Sequence, residues 1–343
     1  MSTPAIGFVG IHAGGRAGQP TAQDEILARL FAAEGHHVRA ASSREHQVPR
    51  TLEQVAAMVG WRDVDVLVVA TFSGTSFLIA ELAALLARRR RRPLVLFLHG
   101  GNLPAWAPAH AGRARRALRR ADRLLAPSDY LADAFRSWGF DVGVIPNVVE
   151  LGDHAFRRRS PLRPSLLWMR TFAEEYDPLL AVEAFARIVA RTPDARLTMA
   201  GADQGLLAAT RERATALGVA DRIRFPGYLD AAAKAAALAD HDVFLNTNRV
   251  DNMPVSVVEA AASGLVPVAT RVGGIPALLA DGRDALLVEA GDASALADAV
   301  GRLLDDPDLA GRLSDGARET ASRSDWPAVR RRWLEELEAL GVG

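Results

Sequence analysis

The chain has 343 residues, which exceeds one ordinary domain of ~100–200 residues and leads us to expect two. Hydrophobic residues make up 49% and charged residues 24%, while aromatics are only 6%, so two globular cores built largely from Ala, Leu and Val are expected. The formal net charge of zero argues against nucleic acid as an electrostatic partner, and the absence of cysteine excludes disulfides, thiolate nucleophiles and Cys-ligated metals.

No basic leader with a long apolar run opens the sequence, and no stretch approaches the ~18 apolar residues of a membrane span, so a cytoplasmic location is expected. Lys234 is the only lysine, which reads as arginine-rich coding bias and not as function.

Short apolar runs alternate with helical periodicity. Strands are expected at Ala5–Val9, Val38–Ala41, Val64–Ala70, Leu94–His99, Arg123–Ala126 and Val142–Ile145. Helices are expected at Gln23–Ala33, Leu52–Val59, Phe77–Arg89, Arg113–Arg120 and Leu131–Trp138. Glu150–Pro164 holds Arg157–Arg159, Pro161 and Pro164 with no sustained period, and reads as a linker. The alternation then restarts, with strands at Leu166–Met169, Leu197–Ala200, Ile223–Phe225, Val243–Leu245, Val266–Ala269 and Leu286–Val288 and helices between them. A last helix spans Pro327–Leu340, with Asp325 as its expected cap. The fold class is therefore α/β, with two doubly wound parallel sheets in tandem. The expected division is 1–152, 160–325, and a C-terminal helix over 326–343 returning toward the first domain. Ligands of such sheets bind outside the carboxyl ends of the strands, here in a crevice where the two sheets face each other.

The most informative stretch is Asp242–Gly274, DVFLNTNRVDNMPVSVVEAAASGLVPVATRVGG. A strand ends near Leu245, a polar loop follows, and Pro254 suits the first turn of a helix that Gly264 ends. Asp251 precedes that helix and Glu259 lies within it. From Pro254 to Glu259 a helix rises ~7.5 Å, so the two carboxylates can serve different parts of one extended ligand. The helix N-terminus favours an anionic group at the same place.

These residues resemble the signature of the family-4 retaining glycosyltransferases: an acidic pair with seven residues between, then a small-residue helix, a Gly-x-Pro-Val segment and a Gly-Gly turn. Here the elements are Asp251 and Glu259, Gly264-Leu265-Val266-Pro267-Val268, and Val272-Gly273-Gly274. The resemblance implies that Glu259 accepts the donor ribose hydroxyls. It implies that Asp251, with Asn252, Met253, Pro254 and Val255, holds the transferred sugar; Asp251 is one methylene shorter than the family's usual Glu. Pro146-Asn147-Val148-Val149-Glu150, Phe225-Pro226-Gly227-Tyr228, Gly201 and Asp281–Val288 are similar to further family segments, placing Tyr228 beside the donor base and Gly201 beside the phosphates.

Arg170 follows Leu166–Met169, where the resemblance implies one half of a diphosphate clamp; a bidentate guanidinium suits that task. The other half is a lysine five residues later, and this chain has Glu175 there. Arg16, Arg249 or Arg271 is expected to supply the missing charge. His12-Ala13-Gly14-Gly15-Arg16-Ala17-Gly18 resembles the family's Gly-Gly loop, with Gly14 and Gly15 on the donor and His12 on the acceptor side. It has neither Gly-x-Gly-x-x-Gly spacing nor a P-loop lysine, which disfavours dinucleotide binding and kinase chemistry. His99 ends a parallel strand and, with Asn102, is expected beside the acceptor; His99 is the catalytic candidate together with Asp251 and Arg170.

The arginine clusters 88–92 and 113–123 read as solvated faces in preference to a membrane patch, because net charge is zero and no apolar stripe is evident beside them. Asp63-Val64-Asp65 and Asp240-His241-Asp242 stand at strand starts, the wrong end for a metal-diphosphate site, so no metal is expected.

The resemblance thus implies a GT-B enzyme transferring a sugar with retention from a nucleotide-sugar co-substrate, UDP- or GDP-linked. No other cofactor and no nucleic acid partner are expected, and the acceptor would be a small molecule, glycan or lipid-linked group. A non-catalytic nucleotide-sugar binder or partner subunit is the alternative, with Glu175 as its support. An epimerase on the same scaffold and a dehydrogenase fit less well, and a glycosidase acid/nucleophile pair is rejected because Glu259 matches the ribose position.

Overall fold

A computed structural model of the chain describes residues 3–10, 22–41, 44 and 46–342. The chain forms two compact units, one from Met1–Val148 with Trp326–Gly343, the other from Val149–Asp325.

In the first unit the order is β1 (Ile6–Val9), α1 (Gln23–Ala33), β2 (Val38–Ala41), α2 (Gln47–Gly60), β3 (Val66–Thr71), α3 (Phe77–Arg90), β4 (Leu94–Leu98), α4 (Leu103–Ala109), α5 (Ala111–Leu118), β5 (Arg123–Ala126), α6 (Asp129–Arg136) and β6 (Val142–Val144). The strands form one parallel sheet, ordered β2-β1-β3-β4-β5-β6. The runs VLVVA and LVLFL are continuously apolar because both faces are covered. Leu67, Val69, Leu94, Leu96 and Leu98 pack with α3 and α5 on one face. Val66, Val68, Val95 and Phe97 pack with α1 and the C-terminal helix Trp326–Ala339 on the other. Trp333 of that helix is buried, with ring contacts to Phe97 at 5.4 Å and Phe31 at 6.4 Å. Glu336 accepts from Arg123 at 2.8 Å.

Three details differ from the sequence reading. Residues 103–109 are helical, although Pro104 and Pro108 stand there; Pro104 falls in the first turn, where a missing N–H costs little. The last helix starts at Trp326, one residue earlier than expected and directly after Asp325, whose carboxylate accepts from the Leu151 N–H at 3.0 Å. Exposed apolar side chains share the helix that carries the first arginine run, Leu78 and Leu85 on α3 with Leu85 one turn before Arg88, and Val48, Leu52 and Val59 are exposed on the neighbouring α2. Among the described residues no helix is long and apolar enough to cross a membrane.

The second unit runs β7 (Ser165–Met169), α7 (Pro178–Arg191), β8 (Arg196–Ala200), α8 (Leu207–Ala216), β9 (Ile223–Gly227), α9 (Ala231–Asp240), β10 (Val243–Asn246), α10 (Val255–Ala262), β11 (Val266–Thr270), α11 (Ile275–Leu278), β12 (Leu286–Val288), α12 (Ala293–Asp305) and α13 (Pro307–Ser322). The C-terminal helix of the first unit is α14. The second sheet is parallel and ordered β12-β11-β10-β7-β8-β9. β7 and β10 are neighbours, with Val243 opposite Leu166, although two strands separate them in sequence. Helix α7 packs on the face holding Leu166 and Trp168, and α10 on the face holding Leu167. The winding therefore reverses between β7 and β10, the topological switch point at which open α/β sheets bind ligands.

Residues 150–164, expected as a linker, lie within this unit. Arg159 is fully buried. Its guanidinium donates to the carbonyls of Leu238 (2.7 Å) and His241 (3.1 Å) at the C-terminal end of α9, and to Ser263 at the end of α10. Asp242, also buried, accepts from the Arg163 N–H at 2.7 Å and guanidinium at 2.9 Å, pairs with Arg157, and lies 3.6 Å from Arg159. Burial pushes Arg159 down to about 10, the Arg157 charge adding to this and Asp242 opposing it, so the guanidinium stays charged at neutral pH. In the other Asp-x-Asp spacing, Asp63 pairs with His37 (2.8 Å) and Arg39 (2.7 Å), and Asp65 accepts from Ala5 N–H at 2.8 Å.

Arg159→Met leaves those helix-end carbonyls and a buried Asp242 short of a partner, which costs roughly 3–5 kcal/mol. Hydrogen exchange should show lost protection across the second unit with the first unchanged; wild-type protection in α9 and α10 would contradict this account.

Candidate functional site

Arg170 stands at the carboxyl end of β7. Its N–H donates to Ala200 O at 3.0 Å, which ties the end of β7 to that of β8. A Cβ at Gly201 would meet the Arg170 carbonyl oxygen at 1.8 Å, so Gly201 is required by this close backbone approach. The Arg170 side chain is mostly buried, lies over the Tyr176 ring at 4.5 Å, and pairs with Asp251. Burial pushes its guanidinium below the usual range, with Tyr176 and then the Glu259 charge pulling it back up.

Asp251 lies in the loop after β10. Asn248 donates to its carboxylate at 2.6 Å, and Thr270 donates to Asn248 O at 2.6 Å. A Cβ at Gly273, whose φ is +52°, would meet the Asp251 carbonyl oxygen at 1.9 Å, and Gly274 N–H donates to that oxygen at 2.9 Å. The Gly-Gly turn therefore seats Asp251. Thr247 accepts from Trp168 Nε1 at 2.9 Å, so the loop is also pinned to β7. Asn252 and Met253 are buried, and Met253 packs against Val149, Val258 and Ala321. Pro254 is the extended residue before α10, which begins at Val255; the sequence reading had Pro254 inside the first turn. Buried polar atoms without a hydrogen-bond partner occur here on Arg170 (Nε), Asn246 (Nδ2), Asn248 (Oδ1) and Ser256 (Oγ). Such atoms call for a ligand or water.

Glu259 is on α10, one turn in, and mostly buried. Its carboxylate receives the ammonium of Lys234 from α9. Lys234 reads in the sequence as coding bias, and the fold turns it toward Glu259. The available signal was its spacing from Leu238, four residues on and buried, which puts both on the inward stripe of α9. Tyr228 begins the loop between β9 and α9 and is 39% exposed.

The arginines expected to replace the missing lysine have acidic partners: Arg249 donates to Asp177 at 2.7 Å, and Arg271 lies 3.2 Å from Asp281. Glu175 is exposed, and its carbonyl accepts from Arg249 N–H at 2.8 Å. His12, Gly14, Gly15 and Arg16 lie outside the described residues.

In the first unit His99 follows β4, buried between Phe72 (ring centroids 5.5 Å apart, stacked) and Phe97 (4.3 Å). Asn102 is exposed, and its carbonyl accepts from Trp106 N–H at 2.9 Å at the start of α4. Among the described residues no group of three or more His, Cys, Asp or Glu is placed to hold a metal.

Residues 16–153 match the family described as Glycosyltransferase Family 4, and residues 163–306 match Glycosyl transferases group 1. The chain belongs to the family-4 glycosyltransferases. Among curated members, it is 32% identical over 248 residues to D-inositol 3-phosphate glycosyltransferase 2 of Catenulispora acidiphila, covering 64% of this chain and 58% of that protein. It is 30% identical over 224 residues to the phosphatidyl-myo-inositol mannosyltransferase of Mycobacterium leprae, covering 62% and 59%. The alignments thus span under two thirds of these relatives' lengths. In three dimensions the family's GT-B fold is evident: Anabaena HepE in complex with UDP superposes with a TM-score of 0.78 at 18% identity, covering 98% of this chain and 100% of that one. Sucrose-phosphate synthase from Thermosynechococcus elongatus gives 0.79 at 17% identity, covering 98% and 99%.

Burial pushes His99 down to about 4 from an ordinary 6.5. Between those values the unfolded chain takes up the proton and the folded chain does not, so stability is full above pH 6.5 and is lost as pH falls toward 4. The loss is on the order of 3 kcal/mol. Urea unfolding of the wild type and His99→Phe across this window should show a pH-dependent difference of that sign; parallel curves would place His99 in contact with solvent.

Proposed function

We propose that this chain transfers a sugar, with retained anomeric configuration and without a metal, from a UDP- or GDP-linked donor to an acceptor hydroxyl. The observation that carries this reading is the cluster of Arg170, Asp251 and Glu259 at the switch point of the second sheet, beside buried polar atoms that lack partners. Glu259 takes the ribose hydroxyls, Arg170 the diphosphate, and Asp251 with residues 252–255 the sugar. Departure of the diphosphate is assisted by Arg170 and the amides at the start of α10, a fixed positive environment for developing negative charge. His99, neutral at physiological pH, is assigned to the acceptor side on family resemblance. Inositol-bearing acceptors are the first to test, because the two curated relatives named above carry inositol in their names.

A second reading, a donor-binding protein without transfer, draws on Glu175 in the place of the usual lysine. Donor hydrolysis by the purified chain separates the two.

Hydrogen bonds to a charged acceptor contribute roughly 1.5–3 kcal/mol. Glu259→Gln should therefore weaken UDP or GDP binding by about ten- to a hundredfold in calorimetry. Asp251→Asn should keep the free nucleotide and lose affinity or turnover for the intact donor. Wild-type nucleotide binding by Glu259→Gln would sink the donor-site assignment.

His99→Ala should depress turnover while nucleotide affinity stays within a few-fold. Unchanged turnover would reduce His99 to a packing residue.

A further inference from the structure

Helix α9 reads AAAKAAALAD. Its inward positions are Lys234, Ala237 and Leu238, of which Leu238 is buried, while the other positions are exposed and are occupied by alanine or aspartate. A lysine kept for solubility would stand on one of those exposed positions. The chain's single lysine instead turns inward, and its ammonium meets the Glu259 carboxylate, with 32% of the lysine side chain and 13% of the glutamate side chain exposed.

Resting on the assignment of Glu259 to the donor ribose, we propose that Lys234 is a positioning residue for donor binding: its ammonium fixes the rotamer of Glu259 so that the carboxylate is set to receive the ribose diol. A carboxylate offers about four lone-pair sites. Lys234 engages Oε1 and leaves acceptor capacity for two hydroxyls. A carboxylate this buried needs a countercharge to remain in place. Arg170 interacts with Glu259 through charge, while its guanidinium is paired with Asp251. Arg159 holds the C-terminal carbonyls of both α9 and α10, which keeps the two helices, and hence ammonium and carboxylate, in register.

The test is a double-mutant cycle read by calorimetry with UDP and with GDP. Lys234→Met should weaken the preferred nucleotide by about tenfold, and Lys234→Arg should restore it to within about threefold. In the Glu259→Gln background, Lys234→Met should cost less than about twofold more, because the lysine acts through the carboxylate. Losses that simply multiply would mean that Lys234 contacts the nucleotide itself, and would overturn the positioning role. Wild-type affinity in Lys234→Met, with Glu259→Gln impaired, would overturn the lysine's role and leave the donor assignment standing. Failure of Glu259→Gln to weaken binding would fell the donor assignment itself. A second readout uses the single lysine: reductive 13C-methylation labels Lys234 and otherwise only the α-amine. The dimethyl-lysine resonance should shift when UDP or GDP is added to the wild type and stay still in Glu259→Gln; an unresponsive wild-type resonance would count against the proposal.

Discussion

The geometry around Glu259 depends on one buried cation. Arg159, buried within the second unit, donates to the carbonyls that end α9 and α10, at Leu238, His241 and Ser263, while Asp242 balances its charge. Helix C-termini are negative ends with unsatisfied acceptors, so a guanidinium there answers both needs. Gly264, at φ +86°, allows the Arg157 carbonyl to come close; a Cβ would meet that oxygen at 2.3 Å. With both helix ends held at one point, the side chains one or two turns back, Lys234 and Glu259, are brought together.

A second set of constraints acts at the opposite ends of the strands. Gly201 and Gly273 each permit a backbone approach that any side chain would block, one against Arg170 and the other against Asp251. Their effect is to bring the residue after β7 and the loop after β10 to a single place, the switch point, where Arg170 and Asp251 pair. Gly201, which the family resemblance implies beside the phosphates, packs its backbone against that of Arg170.

The first unit shows a different use of burial. Its sheet is covered on both faces, with α14 returning from the far end of the chain to seat Trp333 against Phe97. Phe97 in turn lies against His99, so the same aromatic contacts that close the core keep the imidazole dry and neutral. Stability and the protonation state of a candidate catalytic group are thus linked through one ring stack.

Much of this was legible in the residues alone. The strands were readable because double-faced burial writes continuous apolar runs, as in Leu94–Leu98, and helices because amphipathic periods are long, as in Gln23–Ala33. Arg170, Asp251 and Glu259 could be singled out because their neighbours form a spaced local signature. What lies outside such local pattern needed the tertiary structure. The burial of Arg159 is invisible in Arg157–Arg159, since three adjacent arginines look alike until helix ends close over one of them. The pairing of Lys234 with Glu259 joins residues 25 apart on two helices, and no periodicity encodes it. The ion pairs of Arg249 with Asp177 and of Arg271 with Asp281 are likewise contacts that no local pattern shows. Local sequence dictates elements through burial period and turn chemistry; which charges meet is decided only when packing brings distant segments within Coulomb range.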